Sequence, residues 1–305
     1  MKMYVAGQWL DKDEKIEVRN SYDRSVIDTV PRADRADIER ALQSAERGAR
    51  AMAKLSSYER WKILHRAADL LSVRAEELGT LISKEEGKIL AEGRVEALRA
   101  VDTIMESAEE AKRVHGETVA LDGASHGKGK FGVTIRVPCG VVVAISPFNF
   151  PLNLVCHKVG PAIAGGNAVI VKPATDTPLS ALRLTEILLD AGLPPEGINT
   201  LTGSGGEVGD WLVADRRVRK ITFTGSRDVG EHICRTAGIK RVTMELGSNA
   251  PVIVMPDADM EKVAVAVAST GYANAGTRTS STRSGPRSPR SRSATSSIRV
   301  SRSAR

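Results

Sequence analysis

The chain has 305 residues, long enough for two domains with a sizeable core, and 41% of its residues are apolar. Its apolar runs fall short of the roughly 18 residues of a membrane span, and its first residues lack a signal-peptide core. We therefore expect a cytoplasmic protein without a membrane partner. Three widely spaced cysteines, Cys139, Cys156 and Cys234, predict reduced thiols and no metal site.

The formal net charge of +7 comes from the last segment of the chain. Residues 277–305 contain eight Arg, ten Ser and no Lys, Asp or Glu, whereas the rest holds 36 basic and 37 acidic residues. The body is close to neutral and predicts no specific binding of nucleic acid. With four apolar residues the last segment cannot bury a core, so we expect it to be disordered.

The first elements in chain order are a short hairpin or edge strand and four helices. Met3–Leu10, with Gly7 at its centre, fits the strand or hairpin. Asp34 or Asp37 can cap the first helix. Apolar residues at helical spacing predict helices over Ala33–Ala53, Tyr58–Leu71, Ala75–Ser83 and Ile89–Val114. From the pattern alone these helices could form a bundle or flank a sheet.

A loop and an exposed strand follow the four helices. Gly123–Lys130 is rich in glycine and polar residues, which indicates a loop. Phe131–Val137 alternates apolar and polar residues, which predicts a half-exposed strand.

The chain then contains a strand that predicts a covered parallel sheet. The unbroken apolar run Val141–Ile145 is typical of a strand buried on both faces. Pro147 and Pro151 end this run, and each restricts the residue before it. Asn149 between them is therefore predicted to lie in an irregular turn.

A βαβ unit is completed by the residues that follow. Apolar residues from Leu154 onwards predict a helix closed by Gly165 and Gly166, and Ala168–Val171 predicts a second buried strand. Ser146, Asn149 and Lys172 are thereby placed at the strand ends, where open α/β sheets bind ligands.

Strands and helices continue to alternate after this unit. Short loops between them predict a doubly wound α/β fold with a parallel sheet and flanking helices. The predicted strands are Ile198–Leu201, Lys220–Phe223, Arg241–Leu246 and Pro251–Val254, and the predicted helices are Leu179–Ala191, Arg227–Ala237 and Asp259–Tyr272.

Four positions favour a binding or catalytic role, and each also has an ordinary interpretation. Gly225, Ser226 and Gly230 at a strand-to-helix turn suit a phosphate, or the turn is a common one with Ser226 as helix cap. Lys172 and Glu245 end strands and could be solvated surface charges. Asn149 could serve only to form the turn between two prolines.

Four motifs in register carry a family resemblance. Ser-Pro-Phe-Asn-Phe-Pro at 146–151, Val-Lys-Pro-Ala at 171–174, Phe-Thr-Gly-Ser at 223–226 and Glu-Leu-Gly-Ser at 245–248 resemble the NAD(P)-dependent aldehyde dehydrogenase superfamily. The match runs from about Met3 to Gly276. It implies a Rossmann-like fold, NAD or NADP as cofactor and a small aldehyde as substrate. It also implies a homo-oligomer in the parent family, with assembly impaired in this chain. The nearest branch resembles lactaldehyde or phosphonoacetaldehyde dehydrogenases.

The resemblance also implies the roles of single residues. Asn149 would be the oxyanion donor, and Glu245 the general base, which calls for a partly buried carboxylate. Lys172 would bind the adenosine ribose, and the neutral Thr175 would leave NADP tolerated. The positions expected to bind the cofactor are Ile145, Ser146, Pro147, Phe148, Lys172, Pro173, Ala174, Thr175, Gly205, Phe223, Thr224, Gly225, Ser226, Val229 and Leu246.

The sequence departs from the family at the nucleophile. Gly271–Gly276 matches, but Thr279 occupies the position of the family's cysteine. We therefore expect an inactive chain that is truncated and out of frame near codon 277. Alternatively, the chain is a non-catalytic dinucleotide-binding remnant, or it binds nucleic acid through its Arg/Ser-rich tail.

The expected domain organisation follows from the resemblance and its end. Residues 1–245 would form the NAD(P)-binding domain, with 123–138 as an oligomerisation arm. Residues 246–276 would begin an incomplete catalytic domain, and 277–305 would be the disordered tail.

Overall fold

The structure is a computed structural model that describes residues 1–248 and 251–272. The chain divides into one compact unit, Met1–Leu246, and a second that starts at Gly247. The expectations for Thr279 and for the Arg/Ser-rich tail lie outside the described residues.

The strands of the described residues are short, and most belong to the first two thirds of the unit Met1–Leu246. Their bounds are β1 Met3–Val5, β2 Gln8–Leu10, β3 Lys15–Arg19, β4 Val26–Pro31, β5 Thr118–Val119, β6 Gly132–Val133, β7 Val141–Ile145, β8 Ala168–Lys172, β9 Ile198–Thr200, β10 Val218–Thr224 and β11 Arg241–Glu245.

The helices alternate with these strands from β7 onwards. Their bounds are α1 Arg35–Met52, α2 Ser57–Val73, α3 Ala75–Glu86, α4 Leu90–Arg113, α5 Asn153–Ala164, α6 Leu179–Asp190, α7 Asp210–Ala214, α8 Arg227–Ala237 and, in the second unit, α9 Met260–Tyr272. A π-helical turn over Gly205–Gly209 leads into α7.

One seven-stranded sheet organises the first unit, in the order β11-β10-β7-β8-β9-β1-β2. The five strands from β11 to β9 are parallel, and β1 joins β9 antiparallel. This arrangement confirms the predicted doubly wound α/β fold. The hairpin Met3–Leu10 is confirmed as well, and it forms an edge of this sheet.

Strand β7 shows why its sequence is apolar without interruption. Val142 and Ala144 contribute to one buried cluster, whereas Val141 and Val143 contribute to the cluster on the opposite face of the sheet. Helices α2–α6 supply side chains to the first cluster, and α1, α7 and α8 to the second. The four N-terminal helices therefore flank the sheet, with α1 on one face and α2–α4 on the other.

Three sequence-based expectations are wrong or incomplete. The antiparallel hairpin of β3 and β4 was not predicted. Phe131–Val137 is a strand only over Gly132–Val133, where it pairs with Thr118–Val119. Pro251–Val254 is irregular, because no described strand pairs with it and a strand needs a neighbour for its hydrogen bonds.

The described residues lack both a membrane-spanning helix and a cluster of metal-ligating side chains. None of the described helices combines the length and the apolar composition that crossing a membrane requires. Within the same residues, no group of three or more His, Cys, Asp or Glu side chains could hold a metal ion.

Candidate functional site

The carboxyl ends of four parallel strands bring the predicted site residues to one edge of the sheet. Lys172 at the end of β8 pairs in register with Ile145 of β7, which in turn pairs with Phe223 of β10. On the other side of β10, Thr224 pairs with Glu245 of β11. Residues that are up to about a hundred positions apart in sequence thus end in one row.

The strand order reverses between β7 and β10. From β7 the chain moves through β8 to β9 on one side, and it then returns to place β10 and β11 on the other side. Such a switch point opens a crevice at the carboxyl ends of the strands, which is where α/β sheets bind ligands. The row of residues from Lys172 to Glu245 lies at this edge.

The turn from β10 into α8 combines a glycine packed against an aromatic ring with a capped helix N-terminus. A Cβ atom at Gly225 would lie only 2.5 Å from Cζ of Phe223, so the ring packs where a larger residue would need space. Ser226 caps α8, and its Oγ accepts a 3.4 Å hydrogen bond from the N–H of Val229. The free N–H groups of the first helical turn favour an anion such as a phosphate.

The segment after β7 carries polar atoms that are available to a ligand. The Oγ of Ser146 and the Oδ1 of Asn149 are buried, and neither has a hydrogen-bond partner among the described residues. Buried polar atoms in folded proteins nearly always have partners, so these two fit contacts with a bound group. Pro147 lies beside them, and Phe148 is 47% exposed.

Lys172 and Thr175 lie at the other side of the crevice. Lys172 is buried, its Nζ donates to the carbonyl of Pro173 at 2.9 Å, and burial lowers its pKa to about 8. A Cβ at Gly205 would lie 4.0 Å from that Nζ, so the π-helical turn passes close to the lysine. The Thr175 hydroxyl donates to the carbonyl of Gly203 at 3.0 Å, and Ala174 is half-buried.

Glu245 differs from the expectation for a general base. It ends β11 as an exposed residue, whereas a working general base calls for a partly buried carboxylate. The exposure has a plain cause, since β11 is the edge strand of the sheet and pairs only with β10. Leu246 beside it is 42% exposed, and Val229 of α8 is 48% exposed.

Lys158 is a site residue that the sequence-based interpretation missed. It lies on α5, is buried, and donates a 2.6 Å hydrogen bond from Nζ to the Thr224 hydroxyl. Burial lowers the pKa of Lys158 to about 8, although the negative charge of Glu245 opposes this shift. Its position among the apolar residues of α5, three after Val155 and four before Ala162, was the available signal.

Each of the three cysteines either lies away from the carboxyl edge of the sheet or is buried in the core. Cys139 precedes β7 and so lies at the amino end of that strand. Cys156 is fully buried in α5, and burial raises the pKa of its thiol far above the ordinary value. Cys234 is exposed on α8. A buried thiol of raised pKa is inert as a nucleophile.

Proteins of similar sequence are named as dehydrogenases of aldehydes. The sequence is 45% identical to 3-sulfolactaldehyde dehydrogenase of Priestia aryabhattai over 274 residues, which is 90% of this chain and 57% of that protein. It is 47% identical to aspartate-semialdehyde dehydrogenase 1 of Pseudomonas canavaninivorans over 246 residues, which is 81% of this chain and 52% of that protein. The chain thus spans little more than half the length of these relatives.

Solved structures of dehydrogenases of aldehydes also match this chain. NADP-dependent glyceraldehyde-3-phosphate dehydrogenase from Bacillus halodurans, complexed with NADP, matches with a TM-score of 0.86 and 35% identity over 89% of this chain and 58% of that one. An NAD-dependent benzaldehyde dehydrogenase from Corynebacterium glutamicum matches with a TM-score of 0.81 and 37% identity over 88% of this chain and 59% of that one.

The sequence profile described as "Aldehyde dehydrogenase family" matches residues 9–284, which is most of the chain. This family uses NAD(P), and its matched relatives share the fold that the strand order shows. The chain belongs to the aldehyde dehydrogenase family.

Proposed function

We propose that this chain binds NAD(P)⁺ at the carboxyl edge of its sheet, as the cofactor-binding part of an aldehyde dehydrogenase. The observation that carries the proposal is the row formed by Lys172, Ile145, Phe223, Thr224 and Glu245 at the switch point. The two buried polar atoms without partners, and the N-terminus of α8 after Ser226, support the same site.

The cofactor would be held from three sides by residues of this chain. Lys172, Pro173, Ala174 and Thr175 would bind the ribose end, and Gly205 would let the backbone approach it. The turn from Phe223 to Ser226, with Val229 behind it, would hold the phosphates at the N-terminus of α8. The segment Ile145–Phe148 and Leu246 would line the opposite side. When bound, the dinucleotide supplies a hydride acceptor.

Two residues of the chain would serve the aldehyde chemistry. The side-chain N–H of Asn149 would donate to the carbonyl oxygen of the aldehyde and stabilise the negative charge that develops there. Glu245 would accept a proton from the water that attacks the acyl group. The parent reaction is oxidation of an aldehyde to a carboxylic acid, and the relatives' names support a small oxygenated or acidic aldehyde.

The chain as written would bind the dinucleotide without turnover. The family's covalent step needs a cysteine thiolate, and Thr279 stands at that position in the sequence. Of the cysteines elsewhere, Cys156 is sealed in the core and Cys139 precedes β7 at the far end of the strand. A threonine hydroxyl is a far poorer nucleophile than a thiolate near neutral pH.

Titration calorimetry tests the proposal. The wild-type chain is expected to bind NAD⁺ or NADP⁺, and Lys172→Met is expected to weaken binding about tenfold, the effect of one lost hydrogen bond from a charged donor. Lys220→Met is the matched control, because Lys220 lies nearer the start of β10 and donates to Thr243. A folded wild-type chain that binds neither dinucleotide at millimolar concentration would refute the proposal.

A further inference from the structure

We infer that Lys88 and Glu96 position the segment that carries Asn149 and so act as positioning residues of the proposed site. The inference rests on the proposed function, because it assigns Asn149 and its neighbours to the ligand site. Neither residue touches the row of strand ends. They act on the site through the main chain between β7 and α5, and nothing in the sequence pattern singles them out.

Glu96 supplies the N-terminal cap of α5 from another helix. The Leu152 side chain at the cap position makes no capping hydrogen bond. Instead, Oε1 of Glu96 on α4 accepts from the N–H groups of Leu152 and Asn153, at 3.0 and 3.1 Å. A carboxylate at a helix N-terminus satisfies free N–H groups and complements the helix dipole. Glu96 therefore fixes where α5 begins.

Lys88 holds the turn itself. Its Nζ donates to Oε2 of Glu96 at 2.5 Å and to the main-chain carbonyl of Asn149 at 2.7 Å. The same Nζ lies 3.6 Å from the centre of the Phe150 ring, within the range of a cation–π contact. The side chains of Lys88 and Glu96 are 2% and 1% exposed. The Lys88 ammonium thus contacts Glu96 and the two residues at the tip of the turn, Asn149 and Phe150.

The turn needs this external support because its own residues supply few hydrogen bonds that would fix it. Pro147 and Pro151 have no N–H group, so they cannot donate hydrogen bonds that would fix the segment. The Asn149 side chain does not compensate, since its Oδ1 has no partner among the described residues. The orientation of the Asn149 peptide, and with it the direction of the side chain, therefore depends on the bond from Lys88.

A purely structural role explains the ion pair less well. A buried ion pair is often no more stabilising than apolar residues of the same volume, because both charges lose their hydration. Here each charged group also holds main-chain atoms of the segment 149–153, which apolar residues could not do. The pair is therefore explained by the position it imposes on this segment.

The test needs a variant that keeps the fold. Lys88→Met alone leaves Glu96 and the nearby buried Glu86 without a cation, and such a variant can fail to fold. The variant Lys88→Met/Glu96→Gln removes both charges together, and the glutamine oxygen can still accept from Leu152 and Asn153. Its matched control is Arg94→Met/Glu76→Gln, which removes the exposed 2.5 Å pair between α3 and α4.

Two measurements are compared in the full chain. Hydrogen exchange of the peptide covering 146–153 should be about tenfold faster in Lys88→Met/Glu96→Gln than in wild type, the effect of one lost buried hydrogen bond, with no change over α1 or α8. The side-chain amide signal of Asn149 in a nitrogen-edited spectrum should shift from its wild-type position. The control variant should change neither.

Dinucleotide affinity separates this inference from the proposed function. If the wild-type chain binds NAD(P)⁺, the double variant should bind it about tenfold more weakly. If the wild-type chain does not bind, the proposed function fails, but exchange and the Asn149 signal still decide whether the segment is positioned. Wild-type exchange over 146–153 together with an unchanged Asn149 signal would overturn the inference, and so would exchange that accelerates equally throughout the first unit.

Discussion

The Lys158 ammonium donates a 2.6 Å hydrogen bond to the Thr224 hydroxyl across the point where the strand order reverses. Lys158 belongs to the helix that follows β7, and Thr224 ends β10. The bond therefore joins the two halves of the doubly wound sheet at the edge where the site residues meet. A lysine in this position is costly to bury, and the cost should be visible in the pH dependence of stability.

We expect Lys158→Met to make the free energy of unfolding depend less on pH between pH 8 and 10.5. Burial lowers the pKa of Lys158 from 10.5 to about 8, so between these values the unfolded chain binds more protons than the folded one. The free energy of unfolding should then rise with pH across this window, by on the order of 2 to 3 kcal/mol for this one group.

Urea unfolding followed by circular dichroism at pH 7, 8, 9 and 10 measures the effect. Lys172 has its pKa lowered to about 8 as well, so the variant should keep part of the wild-type rise. Lys220→Met, at an exposed hydrogen bond, serves as the control. Equal slopes in wild type and Lys158→Met would contradict the assignment of a buried charge at this position.

A second pH effect should come from Glu85, with the opposite sign. Its carboxylate accepts from the N–H groups of Leu179 and Ser180 at the start of α6, at 2.9 and 3.0 Å, and it also contacts the Ser180 hydroxyl. Burial raises the pKa of Glu85 from 4.5 to about 7, so the folded protein binds the proton more tightly. The free energy of unfolding should fall from about pH 4.5 to 7, by on the order of 3 kcal/mol.

Glu85→Gln should remove this part of the fall while keeping an acceptor for α6. Burial also raises the pKa of Glu86 to about 7. The free energy of unfolding of Glu85→Gln/Glu86→Gln should therefore fall even less with pH. Guanidinium unfolding at pH 4.5, 5.5, 6.5 and 7.5 gives the slopes. An unchanged fall in the double variant would show that other groups cause it.

Thr175→Glu should shift the dinucleotide preference toward NAD⁺. The Thr175 hydroxyl now bonds the Gly203 carbonyl, and a carboxylate there would repel a 2′-phosphate on the ribose. The ratio of NADP⁺ to NAD⁺ dissociation constants should rise at least about tenfold. Thr175→Gln, which has the same shape without the charge, is the control for size. The prediction fails if both variants change the ratio equally in calorimetric titrations.

The chain should form no NAD(P)H from aldehydes. Position 279 holds threonine, and none of the described cysteines is both accessible and at the carboxyl edge. The assay follows absorbance with 3-sulfolactaldehyde and aspartate semialdehyde, at a detection limit of about 10⁻⁴ of a typical turnover number. The sulfolactaldehyde relative is the positive control. Turnover that Glu245→Gln abolishes would show that the chain assembles a working site without the family's cysteine.

The central βαβ unit could be predicted from sequence because both faces of its strands are buried. An apolar run such as Val141–Ile145, stopped by Pro147, has few alternatives, and the structure gives the strand those bounds. The helix over Arg227–Ala237 was equally clear, since Ser226 caps it and glycine precedes the cap. Predictions succeed here because the signals are local.

The interactions that complete the site are not local, and the sequence could not show them. Lys88 meets Asn149 from 61 positions away, and Lys158 meets Thr224 from 66. Buried charges of this kind resemble surface charges in a sequence until their partners are known. Glu245 is exposed for a related reason: exposure depends on which strand lies at the sheet edge.

The antiparallel pairing of β1 with β9 also sets an order of events during synthesis. Tyr4 pairs with Thr200, and the Ala6 N–H donates to Oδ1 of Asn199 at 2.8 Å. At about 5 to 20 residues per second, a ribosome needs roughly 10 to 40 seconds to deliver β9 after β1 has emerged. Until then the first strand lacks the neighbour that joins it to the parallel part of the sheet. A nascent chain paused before residue 200 should therefore be a preferred client of chaperones.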